Sequence, residues 1–157
     1  MKRQIRRGCF ETNSSSTHAL TVGKKLEKNY LPYGNNLKIR WFDEERTLTT
    51  LQEKVSYLVS HIASWYQYNA EDYEDLLNEI KSNYDFKRIE KYVLDTYGKK
   101  IVFPEYKGDI ENIVEINHQL PSWNNNLDEI LEDLIEEPRD YLAEVLEDGK
   151  IIEFGRD

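Results

Sequence analysis

Leu48, Leu51, Val55, Leu58, Val59, Ile62 and Trp65 recur at spacings of three and four residues, the interval at which side chains stack on one face of an α-helix. At the start of the run, Thr50-Leu51-Gln52-Glu53 has the form of a capping box, in which a hydroxyl and a carboxyl three residues apart satisfy the first free backbone N–H groups. A stripe of that length cannot settle as a strand. The chain must therefore build around this helix, and its other elements must supply the surface that covers it.

The remaining pattern supplies candidates for that role. A second helix is predicted from about Ala70 to Tyr84 behind Asn69, with Tyr73, Leu76, Leu77 and Ile80 as its stripe. Asp85 is read as the cap of a third, which carries Ile89, Tyr92, Val93 and Tyr97 and stops at Gly98. Later, Asn126 with Glu129 opens a helix through Leu127, Ile130, Leu131, Leu134 and Ile135, and Pro138 opens another through Tyr141, Leu142 and Val145. Alternation marks strands at Lys2 to Arg7, His18 to Val22 and Leu37 to Phe42, and β-branched residues mark Ile101 to Phe103, Ile110 to Ile116 and Ile151 to Phe154. The first two are expected to be antiparallel neighbours. The order predicts an α+β fold, a largely antiparallel sheet of about five or six strands packed by four or five helices, in a single domain over 1–157. At 157 residues one such core is affordable and two are not.

Composition narrows the class. A hydrophobic share of 39% and eleven tyrosines set the chain apart from disordered sequences. No apolar run approaches the roughly 18 residues a membrane span needs, and Met1 to Arg7 lacks the apolar core of a signal peptide, so a cytoplasmic location is expected. Cys9 is the only cysteine, which excludes an internal disulfide and a cysteine metal site within one chain; beside Phe10 it reads as a small buried hydrophobe. No metal and no cofactor is expected. The net charge of -9 divides into +5 over residues 1–28 and -14 over the rest. Between Asp109 and Asp148 thirteen acidic residues face one basic residue, Arg139. The plainer reading of that stretch is a solvated helix surface; the alternative is a docking face for a basic partner.

From Glu11 to His18 there is no aliphatic residue, although strand-like runs flank the segment. No hydrophobic core calls for Asn-Ser-Ser-Ser in a row, and a loop longer than an ordinary hairpin connection points to chemistry. His18 closes this loop and His118 lies in a turn after a predicted strand, two imidazoles that titrate near neutrality and could serve as acid and base. Glu11 would orient a histidine or act as the base, and Ser15 is the candidate nucleophile with His18 as its base. Arg6 and Arg7, with Asn13, Ser14 and Ser16, would bind phosphate oxygens. His18 and His118 are expected on one rim of the sheet with Arg6 or Arg7 nearby. His61, beside Leu58 and Ile62, is expected at a boundary or surface position of the first helix.

The run Arg6-Arg7-Gly8-Cys9-Phe10-Glu11-Thr12-Asn13-Ser14-Ser15-Ser16-Thr17-His18 resembles the opening of a family of small phage- and prophage-encoded proteins. Asn117-His118-Gln119 is similar to a shorter motif of that family, Asp-His-Gln-Ser, with Asn117 in place of the aspartate and Leu120 in place of the serine. The family commonly has valine where Cys9 stands. The resemblance implies a mobile-element protein acting inside a bacterial host cell, antagonising a host or defence function. Three expectations follow, in different classes. The first is an effector with a metal-independent site acting on RNA or a nucleotide. The second is a non-enzymatic, anti-CRISPR-like inhibitor, an acidic nucleic-acid mimic that docks on a basic nucleic-acid-handling protein through Glu129, Glu132, Asp133, Glu136 and Glu137. The third is a ligand-binding or structural phage protein.

Overall fold

The first helix forms as its cap dictates. Thr50 sits in extended conformation (φ -99°, ψ 157°) and its Oγ1 accepts from the Glu53 backbone N–H at 3.1 Å, while Thr49 and Thr50 hydroxyls both donate to the Glu53 carboxylate, at 3.2 and 3.1 Å. Helix α1 then runs Leu51–Tyr66. A computed structural model describes residues 3–5, 18–22, 34–41, 48–114, 141–147 and 152–156 of the chain. Within them α1 is the central element, because its residues from Lys54 to Ala63 are buried without interruption, on every side of the helix.

Helix α2 spans Tyr73–Ser82 and α3 spans Tyr84–Tyr97. The start of α2 is set by Asp72, whose side chain accepts from the Asp75 N–H at 2.8 Å, and not by Asn69; the three-residue turn after α1 takes up the difference. Asn83 ends α2 and caps α3, its Oδ1 accepting from the Phe86 N–H at 3.0 Å. Asp85 is therefore inside the first turn of α3, buried and paired with Arg88 at 3.1 Å, and is not the cap. Asn83 Nδ2 also donates to the Tyr66 hydroxyl at 2.8 Å, which ties the α2–α3 junction to the end of α1. Gly98 closes α3 in the left-handed region at φ 66°, as expected, and its N–H returns to the Leu94 carbonyl at 2.9 Å.

Strand β3 (Asn36–Lys38) enters α1 and strand β4 (Lys100–Val102) leaves α3. They pair in parallel, Leu37 beside Ile101, so the three helices form the crossover that a parallel pair requires. Leu37 and Ile101 turn inward into one contiguous cluster with Val55, Ile62, Ile80 and Val93 of the helices and with Ile113, Leu142 and Val145 further along the chain. Helix α4 (Tyr141–Leu146) packs on α1, and three donors hold its last turn. Lys54 Nζ donates to the Glu147 carbonyl at 2.7 Å, Tyr97 to Leu146 at 2.7 Å and Tyr92 to Ala143 at 3.5 Å.

The other described strands, β1 (Arg3–Ile5), β2 (His18–Val22) and β5 (Ile152–Arg156), form an antiparallel sheet in the order β1-β2-β5. The expectation of one largely antiparallel sheet of five or six strands is thus overturned. The described residues hold four α-helices, and the sheet packed among them is a two-stranded parallel pair. β3 and β4 spend their hydrogen bonds on each other instead of joining the antiparallel set. Nor is Ile110 to Ile116 a strand over its described part. Asp109 caps a 3-10 turn at Ile110–Asn112, accepting from the Glu111 N–H at 3.2 Å, and a local acceptor of this kind diverts the backbone from a ladder. The helix expected behind Asn126 lies outside the described residues.

Candidate functional site

The antiparallel sheet is amphipathic by register. Because opposed residues share a face and alternate residues change face, Ile5, His18, Leu20, Val22, Ile152, Phe154 and Arg156 fall on one side with Arg3. Gln4, Ala19, Thr21, Glu153 and Gly155 fall on the other. The first side is apolar through its middle and polar at its ends. At one end Arg3 stands opposite Val22; at the other His18 stands opposite Arg156. His18 begins the central strand β2 at the point where the polar motif finishes, and its backbone position is paired with Arg156 of β5, while the pairing with β1 covers Leu20 to Val22.

Of the residues expected to carry chemistry, His18 alone is among those described. Arg6, Arg7, Cys9, Glu11, Asn13, Ser14, Ser15, Ser16 and His118 lie outside them, as do Glu129, Glu132, Asp133, Glu136 and Glu137 of the acidic segment. Arg156 was not anticipated. Its signal is the alternation Ile152, Phe154, Arg156, which identifies the face but not the partner until the β2–β5 register is known.

His61 corrects a second expectation. It is 1% exposed, well inside the core, where its ring meets Tyr57 edge-on at 4.6 Å and 83°. Lys54, Tyr57 and His61 lie on one face of α1, and all three are buried. The sequence signal that could have revealed this is that apolar residues flank His61 on both sides of the helix, at Leu58, Val59, Ile62 and Ala63. The polar groups of α1 are put to structural use: Ser56 Oγ accepts from the Arg40 backbone N–H at 3.1 Å, and Ser64 Oγ donates to the His61 carbonyl at 2.5 Å.

A cluster of aromatic side chains occupies the rim between β4 and α2. Tyr73 lies edge-on to Trp41 at 6.4 Å and tilted to Tyr106 at 5.6 Å, and Phe103 packs on Trp41 and Phe86 at 6.0 and 5.5 Å. The Tyr73 hydroxyl accepts from Trp41 Nε1 at 3.3 Å and donates to the Pro104 carbonyl at 2.5 Å. Burial, only partly offset by the Trp41 hydrogen bond, pushes the Tyr73 hydroxyl above its ordinary value near 10.0. With its hydroxyl engaged in both directions, the cluster acts as a clamp joining α2 to the residues that follow β3 and β4.

Among the described residues no group of three or more His, Cys, Asp or Glu side chains is placed to hold a metal ion, and no helix is long and apolar enough to cross a membrane. Comparisons with family models, with curated proteins and with solved structures find no match. The backbone register brings His18 and Arg156 to one position at the end of the β2–β5 pair.

Proposed function

We propose that this chain is an intracellular effector of phage or prophage origin that antagonises a bacterial host or defence function, acting on RNA or a nucleotide at a site built on His18. The observation that carries the reading is the position of His18: it is at once the last residue of the Glu11 to His18 polar stretch and the first residue of the central strand of the antiparallel sheet. In phosphoryl transfer this imidazole takes a proton from an attacking hydroxyl or gives one to the leaving oxygen, while cations and loop amides hold the phosphate oxygens. His118, Glu11 and Ser15 are proposed as its catalytic companions, and Arg6, Arg7, Asn13, Ser14 and Ser16 as phosphate-binding groups. The test is incubation of the purified protein with structured RNAs, guide RNAs and cyclic nucleotides in EDTA. Wild type should yield a product, and His18→Ala should slow its formation by about 100-fold or more. An absence of product from every substrate, or equal rates for the two proteins, removes the reading.

A second reading is a binder without chemistry, docking its acidic segment on a basic nucleic-acid-handling protein. It is favoured by the exposure of Asp109 and Glu111, the first two carboxylates of that segment. Such binding weakens as salt rises, survives His18→Ala, and is lost when Glu129, Glu132, Asp133, Glu136 and Glu137 are reversed to lysine.

A further inference from the structure

We infer that the outward face of the β3–β4 pair, built on Lys38, Arg40 and Lys100, is a docking surface for the phosphodiester backbone of a single-stranded nucleic acid. It deepens the function proposed above and rests on that reading only for preferring RNA among single strands; the surface itself comes from the parallel register. Leu37 and Ile101 turn into the core, so their neighbours turn out: Asn36, Lys38 and Lys100 are exposed and Val102 is half-buried. The alternation continues through buried Ile39 to exposed Arg40. Asn36 stands beside Lys100, and Lys38 beside Val102. Lys38 is therefore one same-face step, about 6.6 Å, from Arg40 and one diagonal, about 7–8 Å, from Lys100.

The composition of this surface selects an anion. Residues 34–41 and 98–103 hold Lys38, Arg40, Lys99 and Lys100 and no carboxylate, in a chain whose net charge is -9. Among the described residues no carboxylate pairs with Lys38 or Lys100. Like charges side by side on a sheet repel, and a bound polyanion turns that repulsion into charge-assisted contacts. Strand side chains stand side by side, roughly perpendicular to the sheet. Cations so placed reach successive phosphates of one strand better than they enclose a single small anion. The aromatic end of the surface favours a nucleic acid over an acidic peptide. Trp41 directly follows Arg40 and Phe103 directly follows Val102; both rings are half-buried and pack on each other at 6.0 Å. A cationic track leading to ring faces is how single strands are held without sequence preference, with phosphates on the cations and bases on the rings.

The full-length protein is titrated into fluorescein-labelled oligouridylate and oligothymidylate, and anisotropy is read over a series of salt concentrations. Lys38→Gln/Lys100→Gln should weaken oligouridylate binding at least ~10-fold and flatten the slope of log affinity against log salt by about 1.4, or about 0.7 for each lost contact. Lys87→Gln/Lys91→Gln removes the same charge from exposed positions of α3 and should stay within about 2-fold of wild type, since distant surface charges are screened. All four lysines are exposed, so both variants should melt as wild type does. Equal affinity for oligothymidylate would mark a surface for single strands of either sugar, and weaker affinity one that reads RNA. The inference is overturned if wild type binds neither oligomer, or if the sheet variant loses no more affinity than the α3 variant. It is overturned equally if polyglutamate displaces oligouridylate as well as unlabelled oligouridylate does. Binding without turnover of any RNA or nucleotide leaves the surface standing and removes the catalytic reading. Turnover with a KM unchanged by Lys38→Gln/Lys100→Gln does the reverse.

Discussion

Tyr73 and Lys54 show how single side chains hold this fold. The Tyr73 hydroxyl accepts from Trp41 and donates to the Pro104 carbonyl, so Tyr73→Phe deprives two groups of a partner and should cost about 1–2 kcal/mol in urea unfolding at neutral pH. The same side chain predicts a pH effect. Because burial raises its folded-state pKa above the ordinary value near 10.0, it stabilises the fold fully below that pH. That contribution is lost as pH rises through the folded value, since the ionised phenol can no longer donate to Pro104. Between pH 9 and 11 the melting temperature of wild type should therefore fall more steeply than that of Tyr73→Phe; parallel curves would show that Tyr73 titrates alike in both states. Lys54 is 1% exposed and donates to the Glu147 carbonyl at 2.7 Å. Lys54→Met keeps most of the buried stem but removes this donor, and a loss of about 1–3 kcal/mol is expected in the same unfolding measurement.

Caps and stops decide what could be read of the elements. For α1 the stripe and the Thr50–Glu53 box both stand in the local sequence, and the helix starts as they indicate. Thr50→Ala should cost about 1 kcal/mol of stability by chemical denaturation. Gly98 was equally legible, and since open space surrounds the place a Cβ would take, Gly98→Ala should cost only the left-handed backbone penalty, about 1 kcal/mol. The errors have physical reasons. Both Asn69 and Asp72 are competent caps, as are Asn83 and Asp85, and only packing chooses between them. His61 was misplaced because a single apolar stripe implies a solvated far side, whereas α1 is covered all round. Parallel pairing of β3 with β4 is set by partners that lie about 64 positions apart in the chain and leaves no mark in either strand alone. Of the candidate site, the strand beginning at His18 was legible in its alternation; its pairing with β5, which belongs to the far end of the chain, was not, and the polar motif itself lies outside the described residues.

For the whole molecule, one core runs through α1, α2, α3, the β3–β4 pair and α4. The antiparallel sheet is reached from it along the chain. Helix α4 is held at its last turn by Lys54 of α1 and by Tyr92 and Tyr97 of α3, and β5 follows shortly after to pair with β2. Anything that loosens α1 or α3 removes donors that hold α4, the helix that precedes β5 in the chain, and without β5 the pair β1 and β2 would be a two-stranded ribbon, which is marginal in water. This arrangement predicts a single cooperative unit. Leu58 is 1% exposed at the centre of the core, and Leu58→Ala should cost about 2–5 kcal/mol. Native-state hydrogen exchange would then show the most protected amides of α1, α3 and β4 losing protection by the same free energy as global unfolding, and those of β2 losing a similar amount. Unchanged exchange in β2 beside lowered protection in α1 would mean that the sheet bearing His18 folds independently of the helices. The α4 clamp would then be a packing contact with no hold over the site.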